Sequence, residues 1–227
     1  MTTAEARPEP WRRRLYLPAY RVSDAARYAG VSPNTVAYWH YSTSAVGPAL
    51  PGKERREPLS YLQLIEVAFV AVCRRLGMSL QRLQKTREYA RQTLNSEYPF
   101  AELRWRTEGV HLLLRLHDIE PTRETDTLIV ADAAGQMGWA PIISERFAEF
   151  DYEDGGIAIR WHPAGRSAPI IIDPRISFGA PTIRGIPTWA IRGRNTAGET
   201  IPEIQEDFDL DEEDVLAALE FEGIRIA

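Results

Sequence analysis

RVSDAARYAGVSPNTVAYWHY, residues 21–41, decides how the amino-terminal half is built. Ser23 is placed to cap a helix running through Tyr28, and Gly30 supplies a turn. Ser32-Pro33 then opens a second helix to about His40. Serine at the N-cap and proline at the first helical position form a strong start signal, because proline's missing N–H has no partner there in any case. The spacing turns Val22, Ala25, Ala26, Val31, Val36 and Trp39 inward and leaves Asn34, Thr35, Ala37, Tyr38 and His40 on or beside the outer face. Two short helices joined by a glycine turn are the minimal unit that lays one helix in a DNA major groove.

The surroundings agree with that chemistry. Asn34 can bond adenine bidentately, and Ser32, Thr35, Tyr38 and His40 suit phosphate or base-edge contacts. Arg12, Arg13, Arg14, Arg21, Arg27, Lys53, Arg55 and Arg56 would supply the salt-dependent phosphate attraction. Residues 43–58 hold three prolines, two glycines and the charged stretch 53–57, which predicts an exposed loop or hairpin. The net charge of −5 hides this distribution. Residues 1–106 carry 17 Lys+Arg against 9 Asp+Glu, a balance of +8, whereas residues 107–227 carry 10 against 23, a balance of −13. A basic half joined to an acidic half implies two surfaces with two partners.

Ser60 with Gln63 predicts a capping box for a helix whose face is Leu64, Val67, Ala68, Ala71 and Val72. Gly77 ends it, and Ser79 caps another helix carrying Leu80, Leu83, Arg87, Ala90 and Leu94 along one side. Residues 110–116 and 127–131 read as strands, and 139–150 as an amphipathic helix. Gly155-Gly156 divides the strand-like pieces 149–152 and 157–161 in the manner of a hairpin. Ile170–Ile172 reads as a buried strand, followed by helices at about 188–196, 201–208 and 212–222. Thr200 with Glu203 forms a capping box for the second of these, and Asp211 caps the third.

The stretches VSDAARYAGVSPNTVAYW, GKERREPLSY and SYLQLIEVAFVAVCRRLGMSLQRLQKTREYA together resemble the MerR type of winged helix–turn–helix domain. The resemblance implies that the loop forms a wing, with Lys53, Arg55 and Arg56 against the DNA backbone. One departure is Ala37, which stands where such recognition helices carry an arginine. Residues 170–222, with the DP turn at Asp173-Pro174, the FGAP and IRGIPT segments, Gly198 and a closing AALEFE, resemble the small homeodomain-like domain of VapB-like antitoxins. The resemblance implies an antitoxin of a type II, VapBC-like module that binds and neutralises a PIN-domain ribonuclease toxin and represses its own operon.

Residues 199–222 contain 11 acidic residues and no basic ones, so phosphate would repel a helix there and DNA reading by it is rejected. Two readings stay open for this segment. One is a solvated acidic face whose apolar side, Val215, Leu216 and Leu219, packs the domain or a dimer. The other is a toxin-docking surface of Glu212, Glu213, Asp214, Glu220 and Glu222, with Arg225 reaching the nuclease's acidic pocket.

Enzymatic chemistry finds no support in the pattern. His40, His111, His117 and His162 are scattered, with no metal-ligand spacing, no phosphate-cradling loop and no nucleophile–base arrangement, so neither cofactor nor metal is expected. The single cysteine, Cys73, lies in an apolar run and reads as a small buried hydrophobe. No apolar run reaches the roughly 18–20 residues that cross a bilayer, and the first residues lack a secretory h-region, which predicts a cytoplasmic protein without a membrane partner. The expected fold is α+β and mostly helical. A disordered basic arm (1–14) precedes a winged helix–turn–helix domain (15–98), a central mixed strand and helix segment (99–168) and an acidic three-helix homeodomain-like domain (169–227). Operator DNA, a PIN-domain toxin and a second copy in a homodimer are the expected partners. The rival reading is a MerR-like, ligand-responsive regulator without a toxin, its effector held near Trp139, Phe147 and Trp161. A scaffold making only protein contacts is a third reading.

Overall fold

The computed structural model describes residues 9–41, 47–102, 148–153 and 156–224. The strands expected at 110–116 and 127–131, and all but the end of the helix expected at 139–150, lie outside these residues. The fold is mixed α+β, with helices at both ends of the chain and a five-stranded antiparallel sheet between them.

Helix α1 spans Val22–Tyr28 and α2 spans Pro33–Tyr41. The cap position of α1 is Arg21, not Ser23, which lies inside the first turn. Tyr20 and Leu59 exchange backbone hydrogen bonds of 2.7 and 2.9 Å in an antiparallel bridge, so the chain stays extended up to residue 21 and helix begins directly after it. Ser32 caps α2 as expected, its Oγ accepting from the Thr35 N–H at 3.1 Å. Ala25, Ala26, Val36 and Trp39 are buried, while Val22 and Val31 pack partly against the same core.

Helix α3, Tyr61–Arg75, starts in the predicted capping box, with both Ser60–Gln63 hydrogen bonds present. Its expected face is buried, but so are Ile65, Phe69, Val70 and Cys73 on its other sides. It is therefore a central helix, surrounded by neighbours, and not a surface helix with one wet face. Phe69 stacks on Phe100 with ring centroids 4.4 Å apart. Helix α4, Leu80–Leu94, is capped by Ser79 and stops at Asn95 in the left-handed conformation.

The short helix α5, Pro99–Glu102, is held from below by a buried carboxylate. Glu66 Oε1 accepts from the Phe100 and Ala101 N–H groups at 2.7 and 2.9 Å. Burial pushes this carboxyl up to about 8, against the pull of Arg87 and of those two N–H groups.

One expectation is corrected in this half. Pro10–Leu15 is a 3-10 helix with Leu15 buried and Trp11 packed on the core, so residues 10–14 are not a disordered arm. Apolar Trp11 and Leu15, four apart, anchor the turn that carries the arginines. Of the loop or hairpin expected at 43–58, the described residues 47–58 form a loop without a strand, and a turn falls at Arg55-Arg56. Three prolines remove ladder donors from this stretch, and its backbone is satisfied by α2 instead.

The sheet is a meander of β1 (Phe150–Tyr152), β2 (Ala158–Trp161), β3 (Ile171–Ile172), β4 (Pro181–Ile183) and β5 (Ile186–Pro187), each pairing with the next. One cross-strand row, Phe150–Trp161–Ile172–Pro181, is buried throughout. Because Trp161 pairs with Ile172, the sheet runs through the boundary expected between residues 168 and 169.

The three carboxy-terminal helices are α6 (Thr188–Thr196), α7 (Ile201–Phe208) and α8 (Glu212–Phe221). Their core is Ile191, Ile204, Leu210, Val215, Ala218 and Leu219, joined by Ile170 and Ile183 from the sheet region. The Thr200–Glu203 capping box is present. Asp211 occupies the cap position of α8, but its side chain makes no cap bond and pairs with Arg184 instead.

Candidate functional site

The outer face of α2 and the loop after it form the candidate site. The chain returns to the end of α2, where the Trp39 carbonyl accepts from Ala49 N–H at 3.1 Å and Leu50 N–H at 3.3 Å. His40 Nδ1 then donates to the Pro51 carbonyl at 2.7 Å, and the Tyr41 hydroxyl donates to the Glu54 carbonyl at 3.2 Å. These four bonds hold the basic loop against the helix. Between them lies a groove of about 440 Å³ lined by Val22, Pro33, Asn34, Ala37, His40, Tyr41, Lys53, Arg55 and Arg56. Arg56 sits in the left-handed region at φ 68°, which turns the loop back at its tip.

The expected DNA-binding residues divide into three groups. Asn34, Tyr38, Arg55 and Arg56 are exposed, Lys53 is half-buried beside them, and Ser32 and Thr35 are occupied with each other at the start of the helix. Arg13 and Arg21 are exposed without contributing to the groove. His40 is a correction: it is 4% exposed, and its imidazole belongs to the packed interior. Burial lowers its pKa to about 4, the Pro51 carbonyl opposing and Lys53 and Arg87 adding to the effect, so at neutral pH it brings no charge to a phosphate.

Arg12, Arg14 and Arg27 are also corrected, since each spends its guanidinium on the distant half of the chain. Arg12 makes a bidentate pair with Glu153 at 2.7 and 2.9 Å. Arg14 donates to the Pro174 carbonyl at 3.3 Å and lies 4.5 Å from the Phe178 ring centroid. Arg27 donates to the Phe221 carbonyl at 2.9 Å and pairs with Glu222 at 3.3 Å, while Tyr28 stacks on Phe221 at 5.6 Å.

The acidic set behaves similarly. Glu212, Glu213 and Glu220 are exposed on α8. Asp214 is 7% exposed and pairs with Arg184 at 2.8 Å. The Glu222 side chain is 2% exposed, between Thr188 Oγ1 at 2.5 Å, Arg192 at 3.1 Å and Arg27. These last two carboxylates are internal ties, not parts of a free acidic surface. Arg225 lies outside the described residues.

Elsewhere, His162 Nε2 lies 3.1 Å from Asp151. Burial works against ionisation of Asp151, but Arg166 and His162 outweigh it and hold the carboxyl below its usual range. Among the described residues no group of three or more His, Cys, Asp or Glu side chains could hold a metal ion. Trp161, named for an effector pocket, is buried against Phe150, and Trp139 and Phe147 lie outside the described residues. Among the described residues no helix is long and apolar enough to cross a membrane.

Sequence reasoning missed a second exposed feature. Ser177, Phe178 and Gly179 all have positive φ, at 44°, 57° and 83°, and Phe178 is 77% exposed. The turn is locked by the Tyr20 hydroxyl, which donates to the Gly179 carbonyl at 2.9 Å. The FG dipeptide was the available signal, since glycine tolerates such angles.

Comparison with known proteins places this geometry in context. Residues 170–221 match the family model described as "Protein of unknown function (DUF433)". The chain is 22% identical over 228 residues to the Mycobacterium tuberculosis protein named "Putative antitoxin VapB45", covering 91% of this chain and 95% of that one. It superposes on the crystal structure of Rv2018 from M. tuberculosis with a TM-score of 0.76 at 22% identity, covering 91% of this chain and 99% of the other. The chain thus has the fold of the mycobacterial protein and resembles a VapB-type antitoxin over nearly its whole length.

Proposed function

We propose that this chain is the antitoxin of a type II, VapBC-like toxin–antitoxin pair, binding a PIN-domain ribonuclease directly and repressing its own operon. The observation that carries the reading is the end-to-end correspondence with a protein named as an antitoxin, 91% of one chain against 95% of the other. In this reading residues 15–98 form the DNA-facing part and residues 169–227 the toxin-facing part. Asn34 and Tyr38 approach base edges, while Lys53, Arg55 and Arg56 meet phosphates, two copies of α2 lying one helical turn of DNA apart. Glu212, Glu213 and Glu220 give α8 an exposed negative face that steers a cationic nuclease surface toward it.

Two measurements on the full chain test the two halves of the proposal. Co-expression with the adjacent reading frame should yield a stable complex and relieve that protein's toxicity. A neighbour that neither co-purifies nor loses toxicity refutes the antitoxin role. The double reversal Arg55→Glu/Arg56→Glu should weaken binding to the chain's own promoter across all sequences. It should also reduce the slope of log affinity against log salt by about 1.8, for two phosphate contacts. An unchanged slope removes the loop from the DNA interface.

A further inference from the structure

The groove between α2 and the basic loop combines features that a DNA backbone phosphate would not use together. Its walls, from Val22, Ala37 and Tyr41, are largely apolar. His40 closes its inner end with the imidazole held by its Nδ1–H bond to the Pro51 carbonyl. At the rim, Arg55 and Arg56 carry no ion pair among the described residues. The volume of about 440 Å³ lies in the range of small-molecule sites and well above what one phosphate group fills.

We propose that this groove binds a nucleoside monophosphate. The phosphate meets Arg55, Arg56 and Lys53 at the rim, and the planar base lies against Tyr41, Val22 and Ala37. Each element of the groove then has a counterpart on the ligand: cations for the anion and apolar walls for the ring. A backbone phosphate of duplex DNA would occupy the rim alone. Because both ligands require the same cations, nucleotide and DNA exclude each other. That consequence rests on reading α2 as the DNA-facing helix, whereas nucleotide binding itself does not.

The test is calorimetric titration of the full chain without DNA, at fixed ionic strength, with AMP and separately with inorganic phosphate. AMP should saturate a single site at least tenfold more tightly than phosphate. Ala37→Leu, which fills the groove without changing charge, should weaken AMP binding about tenfold or more, as should Arg55→Ala/Arg56→Ala on the exposed loop. Absence of saturable AMP binding at millimolar concentration overturns the proposal. So does phosphate binding as tightly as AMP, which would leave only an anion seat. Undiminished AMP binding by the arginine double variant overturns it too, whether or not Ala37→Leu folds. AMP added to the protein–promoter complex should release DNA. A protein that binds AMP but not its promoter would refute the DNA reading and leave the nucleotide site standing.

Discussion

The contact between Tyr20 and Gly179 ties residues 159 positions apart and can be dissected by a double-mutant cycle. Gly179 has φ 83°, and a Cβ built there would lie 2.1 Å from the Tyr20 hydroxyl oxygen. The next neighbours, Tyr20 Cζ at 3.4 Å and the Pro174 Cα at 3.6 Å, are ordinary contacts. Gly179→Ala therefore carries two separable penalties. The left-handed backbone costs about 1–2 kcal/mol for a residue with a Cβ. Displacing the hydroxyl from a buried carbonyl, with local repacking, costs roughly 2 kcal/mol more. The sum is about 3–4 kcal/mol.

Tyr20→Phe alone loses the hydrogen bond and should cost about 1–2 kcal/mol. In that background the clashing atom is gone, so adding Gly179→Ala should cost only the backbone part, about 1–2 kcal/mol. The coupling is then about 2 kcal/mol. Urea unfolding of the four proteins, with m values checked for constancy, measures it. If Gly179→Ala costs the same in both backgrounds, the hydroxyl is not what excludes a side chain at residue 179, and the geometry argued for this junction is wrong.

Glu66 gives a pH dependence of unusual sign. Its folded pKa of about 8 lies above the ordinary value near 4.5, so the folded state holds a proton that the unfolded state releases. Stability should fall between about pH 4.5 and pH 8 and level off above, with a slope approaching about 1.4 kcal/mol per pH unit. Glu66→Gln keeps the acceptor for Phe100 and Ala101, and thermal melts across this range should lose that slope; retention of the full slope places the titration elsewhere. Removing the Glu222 side chain leaves the buried Thr188 hydroxyl without its acceptor and releases Arg27, so Glu222→Ala should lower stability by roughly 2–3 kcal/mol in urea titrations. Glu212→Gln/Glu213→Gln should cost no more than about 1 kcal/mol, the loss of two carboxylates from the first turn of α8, and slow toxin association in stopped-flow measurements, and the opposite ranking would reverse the assignment of these carboxylates. Cys73 is fully buried in α3, and burial pushes its thiol well up, so a disulfide exchange reagent at pH 8 should modify it only after denaturant is added.

Much of the misassignment of site residues follows from weighing residue type above position. His40 lies four residues after Val36, so helical spacing puts it on the inward stripe, yet its chemistry suggested the outer face. Asp214 precedes Ala218 by four and Glu222 follows it by four, which again places both beside buried positions. In each case the periodicity carried the answer, and the polarity of the side chain concealed it. The arginines are different. Nothing local distinguishes Arg12, bound to Glu153, from Arg55, which has no ion pair among the described residues. Charge counted along the chain cannot tell a phosphate contact from an internal tie, because the partner lies more than a hundred residues away.

Local architecture is legible in the order of residues: the helix starts at Pro33, Tyr61, Leu80 and Ile201, the turn at Gly30, and the hairpin joining β1 to β2. These depend on capping and turn chemistry among neighbours a few residues apart, and such interactions read directly from spacing. Tertiary packing sets which charges are spent on internal ties, makes the described residues 47–58 a pinned groove wall without a strand, and joins residues 150–187 in one sheet. Those outcomes depend on long-range pairing such as Trp161 with Ile172 and Arg27 with Glu222. Each contact of that kind joins segments whose meeting is set by the packing of the whole chain and not by the residues adjacent to either one.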